Sequence, residues 1–174
     1  VGTYLETRFT GGRLSVKVSE TGTSYYNVFV DGKLHKVVKV CGTDTLIHLV
    51  SGIDKRIHSL KIQKRSEGEF GKTTIHQFVL SGSGRLAEEP AVRTRHIEFI
   101  GNSLTCGYGT DGKHRDEPFL VETENCNLTF ASMVARYYDA DYTLIAHSGR
   151  GAARNYGDSV RVSKVTMKDR MLNT

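Results

Sequence analysis

Period-two alternation dominates the first half of this sequence and constrains its fold more than any other feature. Leu14, Val16 and Val18 alternate with Ser15 and Lys17, as in a strand with one face buried. Tyr26, Val28 and Val30 repeat the pattern, and Asp31-Gly32 follows at once. An Asp-Gly pair between two apolar runs is a hairpin signal, because the turn requires positive φ. Further strands are expected at Leu34–Val40, Thr45–Val50, His58–Lys64 and Thr74–Leu80, each bounded by Gly, Ser or Asp. Short strands at this spacing, with no helical periodicity between them, predict an antiparallel β-sandwich. Ser81-Gly82-Ser83-Gly84 through Pro90 reads as a linker, so one domain is expected over 1–90 and a second over 91–174.

After residue 90 the periodicity changes. His96–Ile100 is a compact apolar strand ending on Gly101, and Thr143–Ala146 is a second. Between them Phe130, Met133, Val134, Tyr137 and Tyr138 share one face of a helix expected from about Asn125 to Asp139. Strand, helix, strand predicts the start of a parallel α/β layer. Two parallel strands cannot bury both faces, so this half is expected to be incomplete.

Composition narrows the function classes. The 174 residues carry a formal charge of +5, but the basic residues are scattered and no nucleic-acid-binding signature appears. No apolar stretch is long enough for a membrane-spanning helix. The first residues show no basic region followed by an apolar run, so any export signal is expected to be absent or already removed. Cys41, Cys106 and Cys126 have no metal-ligand spacing, and an odd count excludes a fully paired disulfide set.

Ligands of open α/β sheets sit beyond the carboxyl ends of the strands, and both strand ends here carry unusual sequences. Gly107-Tyr108-Gly109-Thr110-Asp111-Gly112 matches GxGxxG in letters, but it starts too far from its strand for a dinucleotide site. Ser103 follows the first strand, where its hydroxyl is either a nucleophile or a helix cap. His147, at the end of the second strand, is either a general base or a satisfied structural histidine. The carboxylates, Glu122 and Glu124 among them, form no evident facing pair across a cleft, which weakens a glycosidase reading. With no Trp in the chain, Tyr108 and Tyr156 are the candidates to stack on sugar.

The run Ile97-Glu98-Phe99-Ile100-Gly101-Asn102-Ser103-Leu104-Thr105-Cys106-Gly107-Tyr108-Gly109 resembles the nucleophile block of SGNH (GDSL-type) hydrolases, and its Thr-Cys-Gly-Tyr-Gly end resembles carbohydrate esterase family 2, the acetylxylan esterases. Ser148-Gly149-Arg150-Gly151 with Arg154-Asn155-Tyr156-Gly157 is similar to that family's second block. Tyr25-Tyr26-Asn27-Val28-Phe29-Val30-Asp31-Gly32 is similar to its N-terminal jelly roll. The resemblance implies a jelly roll followed by the first part of an SGNH-type α/β hydrolase domain. Ser103 would be the nucleophile, its own N–H one oxyanion donor, and Gly149, with Gly151 as the alternate, the other. Asn102 replaces the family's usual Asp. The blocks supplying an oxyanion Asn and the catalytic His have no counterpart here, so residues 1–174 alone are expected to be inactive. The implied protein is a secreted, periplasmic or cell-surface bacterial esterase that needs no cofactor or metal. Its implied partners are acetylated polysaccharide or oligosaccharide and the C-terminal remainder of the same esterase, with neither nucleic acid nor membrane. A non-catalytic carbohydrate-binding sandwich and a general GDSL-type lipase or thioesterase are the alternatives.

Overall fold

A computed structural model describes residues 1–172. The chain forms two compact units. One comprises Tyr4–Lys64 and Gly68–Val92, and the other Val1–Thr3, Arg65–Glu67 and the residues from Arg93 onward.

The first unit is an antiparallel sheet of strands β1 (Tyr4–Glu20), β2 (Thr23–Val30), β3 (Lys33–Cys41), β4 (Thr45–Lys64), β5 (Thr73–Ser81) and the short β6 (Arg85–Leu86). The pairing order is β3-β2-β4-β1-β5, with β6 beside β1. The β2–β3 hairpin turns on Asp31 and Gly32, both at positive φ (50° and 75°). Alternation places Leu14, Val16, Val18, Val28, Leu60 and Ile62 in one buried core with Phe9, Leu49 and Val50.

The strands differ from expectation in two ways. The segments expected as separate strands at Thr45–Val50 and His58–Lys64 are one 20-residue strand, and β1 begins ten residues before the clear alternation. Both run through because the β1–β4 ladder changes register on either side of Gly12, which pairs with Ile53. Gly11, Gly12 and Gly52 take the positive φ values that such a bulge requires. A β-bulge in the middle of a strand looks like a loop in sequence. Part of the expected linker is also structured, since Arg85 and Leu86 pair with Thr10 and Phe9.

His58 is buried beneath the hairpin turn, with Nδ1 2.7 Å from Asp31 Oδ2 and Nε2 3.0 Å from Asp54 Oδ1. The hydrogen bond to Asp31 raises its pKa, with help from Asp54 and against the cost of desolvation. A raised histidine pKa stabilises the fold fully below the unfolded value of 6.5 and loses that contribution as pH rises through the folded value. The stability advantage of the parent over His58→Gln is therefore expected to be largest at acidic pH and to shrink by alkaline pH. Melting temperatures of both proteins across the pH range check this.

In the second unit, β7 (His96–Gly101) and β8 (Asp141–Ala146) pair in parallel, from His96 against Asp141 to Gly101 against Ala146. The expected helix is shorter than its pattern. Turns of 3-10 helix at Val121–Thr123 and Cys126–Leu128 precede α2, which spans only Phe130–Tyr137. Asn125 stops a continuous helix: its N–H is held by the Gly107 carbonyl, and its side chain caps the Asn127 N–H. The apolar face read from the sequence is not the face that packs. Ala131, Ser132 and Ala135 are buried, whereas Phe130, Met133, Val134, Tyr137 and Tyr138 are exposed. Small side chains allow close approach on one side and leave the large apolar ones outward.

Candidate active site

Beyond Gly101 the chain turns directly into α1 (Ser103–Cys106). The turn is tight: a Cβ on Gly101 would lie 2.0 Å from Thr105 Oγ1. Asn102 caps this helix, its side chain accepting the Leu104 N–H at 3.2 Å. The capping role thus falls to Asn102, and the Ser103 hydroxyl is left without a protein hydrogen bond among the described residues. Gly107 ends α1 at φ 83°, where a Cβ would come within 2.4 Å of the Asn125 carbonyl.

After β8 a loop from His147 onward is tied to itself by Asn155 and Ser163. Asn155 Oδ1 accepts the Gly151 N–H at 3.2 Å and its Nδ2 donates to the Val165 carbonyl at 2.9 Å. Ser163 Oγ accepts the Asn155 N–H and donates to Asp158. The Tyr156 N–H donates to the Gly149 carbonyl at 2.8 Å. The short α3 (Met167–Met171) follows, with a capping box between Thr166 and Asp169.

These two segments line one cavity of about 620 Å³, which contains Ser103, Tyr108, Gly149, Gly151 and Tyr156 together with Asn102, Ser148, Arg150 and Arg154. All five site residues expected from sequence therefore share one cavity. Their donors are not equivalent. The Gly151 N–H is engaged by Asn155, whereas the N–H groups of Ser103 and Gly149 have no protein acceptor among the described residues. Gly149 sits at φ 75° with open space where a side chain would be. Tyr108 stacks on Phe119 at 3.8 Å between ring centroids, and Tyr156 is almost fully exposed. His147 lines a neighbouring cavity, with Nδ1 2.8 Å from the Ser148 carbonyl oxygen, the geometry of a structurally satisfied histidine.

Beneath the cavity lies a charged layer that the sequence does not announce. Arg65, 2% exposed, pairs with Asp111 and donates to the carbonyls of Glu124 at 2.7 Å and Glu122 at 3.1 Å. Two residues on, Glu67 is also buried; its Oε2 accepts the Ser148 N–H at 2.8 Å, and its own N–H donates to Glu124 Oε2 at 2.7 Å. Burial, and the nearby charge of Glu67, push the fully buried Glu124 up to about 8. Burial likewise drives the Cys106 thiol far up and the Cys126 thiol up to about 12, so neither is a ready nucleophile. None of the three cysteines is in a disulfide. Glu67, Cys106 and Glu124 bring three ligand-type atoms within 4.8 Å of one another. Arg65 and Glu67 sit just after a strand in a polar stretch, so only their burial marks them, and burial is not written in a single sequence.

Residues 1–90 match the family model described as carbohydrate esterase 2 N-terminal. Among curated proteins, the chain is 35% identical over 156 residues to the cellulase/esterase CelE of Acetivibrio thermocellus, covering 90% of this chain and 19% of that protein. It is 31% identical over 155 residues to an acetylxylan esterase / glucomannan deacetylase of Cellvibrio japonicus, covering 88% and 42%. Among solved structures, a family two carbohydrate esterase from Clostridium thermocellum in complex with cellohexaose superposes with a TM-score of 0.86 at 34% identity, over 91% of this chain and 49% of that one. The chain thus spans about half of that structure and less than half of the curated relatives. The likeness makes the antiparallel first unit a jelly roll and the second unit part of an α/β hydrolase fold. With residues 1–90, more than half of its length, matched by that family model, the chain belongs to carbohydrate esterase family 2.

Proposed function

We propose that the complete protein removes O-acetyl groups from an acetylated plant polysaccharide of the xylan type. The observation that carries this reading is the pair of unengaged N–H groups, from Ser103 and Gly149, in the cavity that also holds the free Ser103 hydroxyl. In it, Ser103 Oγ attacks the acetyl carbonyl and loses its proton to a histidine from outside residues 1–174. The two N–H groups accept the developing oxyanion, the sugar leaves as an alcohol, and water then releases acetate from the acyl-serine. Tyr108 and Tyr156 offer aromatic surface to the glycan. The jelly roll, assigned to residues 1–90, and the hydrolase portion, from 91 onward, act in one secreted or cell-surface enzyme.

The test is hydrolysis of acetyl against octanoyl 4-nitrophenyl esters, and acetate release from acetylated xylan, by the complete protein. Acetyl esters are expected to be favoured by about 100-fold or more in kcat/KM, roughly 3 kcal/mol of discrimination. A preference for the long chain would replace this reading with a lipase.

A further inference from the structure

Glu67 and Glu124 leave two acceptor atoms stranded. Glu67 Oε1 and Glu124 Oε1 are buried and have no hydrogen-bond partner, although the remaining oxygen of each is engaged. A carboxylate oxygen of each residue lies within 4.8 Å of the other and of Cys106 Sγ. Two ionised carboxylates this close, out of water, repel strongly. One proton held by Glu124 relieves the repulsion and turns a stranded acceptor into a donor for Glu67. The other groups around the pair are the Cys106 and Cys126 thiols, the α-amino group of Val1, the Glu69 carboxylate, which has an oxygen within 4.8 Å of one of Glu67, and Arg65, which is committed to Asp111 and to backbone carbonyls. His147 Nδ1 is 3.8 Å from Glu67 Oε2 but only 2.8 Å from the Ser148 carbonyl oxygen.

The acceptor that Glu67 presents is used on the His147–Ser148 peptide, one before the peptide that carries the Gly149 N–H. Its Oε2 takes the Ser148 N–H, and Ser148 Oγ is itself buried without a partner, so this contact anchors the start of the loop. We propose that Glu67 and Glu124 hold one proton between them, and that Glu67 is a positioning residue that fixes the Ser148–Gly149 backbone for oxyanion binding. This rests on the reading of Ser103 and Gly149 given above.

The test uses the complete protein and its Glu67→Ala, Glu67→Gln and Glu124→Gln variants, with acetyl-ester kinetics across pH. Glu67→Ala is expected to lose about 100-fold in kcat with KM nearly unchanged. Glu67→Gln, whose amide oxygen still accepts the Ser148 N–H, recovers most of that loss. The parent loses kcat as pH rises past about 8, and Glu124→Gln, which donates without titrating, keeps its activity there. Independently of turnover, Glu124→Gln is expected to raise the melting temperature near pH 9 and leave it unchanged near pH 4, because a raised carboxyl pKa costs stability only above the unfolded value of about 4.5. An unchanged kcat in Glu67→Ala, no recovery in Glu67→Gln, or an alkaline loss that persists in Glu124→Gln would overturn the proposal. So would activity abolished by a chelator, since a cation would then occupy the place of the proton. If Glu67→Ala does not fold, the two isosteric variants carry the test. Ester hydrolysis that survives Ser103→Ala would sink the underlying reading, whereas a dead Ser103→Ala beside a fully active Glu67→Ala would sink only this inference.

Discussion

Ser103→Ala in the complete protein is expected to lower kcat for acetyl-ester hydrolysis by at least about four orders of magnitude. The size follows from what the substitution removes and what it leaves. It deletes the atom that forms the acyl bond, while the Ser103 and Gly149 N–H groups, the cavity and the aromatic surface remain. Residual activity should therefore reflect oxyanion binding to water attack alone. Folding should be almost unaffected, because the Ser103 hydroxyl makes no protein hydrogen bond among the described residues and Asn102 supplies the cap of α1. A melting temperature within a degree or two of the parent would separate lost chemistry from lost structure. A kcat within tenfold of the parent would remove Ser103 from the mechanism.

Arg65→Met is expected to destabilise the second unit by about 2 to 3 kcal/mol, because losing the buried Arg65 leaves two carbonyls without a charged donor while Asp111, one-third exposed, is partly rescued by water. Methionine fills much of the same volume but satisfies none of the partners. Asp111 loses its guanidinium and retains only the Asn125 amide and backbone contacts, and the carbonyls of Glu122 and Glu124 each lose a donor. The damage would spread to the active site, because Asp111 and Asn125 brace the Gly107–Tyr108 turn that follows α1. Denaturant unfolding of both proteins measures the loss. The double variant Arg65→Met/Asp111→Leu should recover part of it, since an apolar pair no longer strands a charge. A loss below about 1 kcal/mol would mean that solvation of Asp111 and of the freed carbonyls replaces nearly all that Arg65 supplies.

Much of this molecule is legible in its residues, and the exceptions share a cause. Alternation marked the buried faces of β1 and β2, and Asp31-Gly32 marked a turn that only positive φ can make. The parallel pair β7 and β8 followed from two apolar runs, one ending on Gly101 and the other at the Gly-rich turn after Ala146. The bulge that merges two segments into β4 was hidden, because Gly52 punctuates a strand just as it would a loop. The helix α2 misled differently: its large side chains draw the apolar stripe, yet Ala131, Ser132 and Ala135 make the contact. Periodicity reports which residues share a face and not which face a neighbour takes. Within the site, family resemblance placed Ser103, Tyr108, Gly149, Gly151 and Tyr156 in blocks, but only the hydrogen bond from Gly151 to Asn155 separates the two candidate glycine donors. The Glu67–Glu124 contact joins residues far apart in sequence, and no local pattern encodes such a meeting.

The pairing of β1 with β4 sets an order of events during synthesis. Tyr4 lies opposite Gln63 and Val18 opposite Thr45, so β1, made before the other strands of its sheet, is among the last of them to find its partner. At about 5 to 20 residues per second, β1 waits several seconds with its apolar face uncovered. The β2–β3 hairpin needs only its own turn, and so it can form first and offer the edge on which β4 docks, with β1 closing afterwards against β4 and β5. For those seconds the nascent chain presents a long, unpaired strand with one apolar face, the kind of segment that holding chaperones shield and that neighbouring nascent chains can capture.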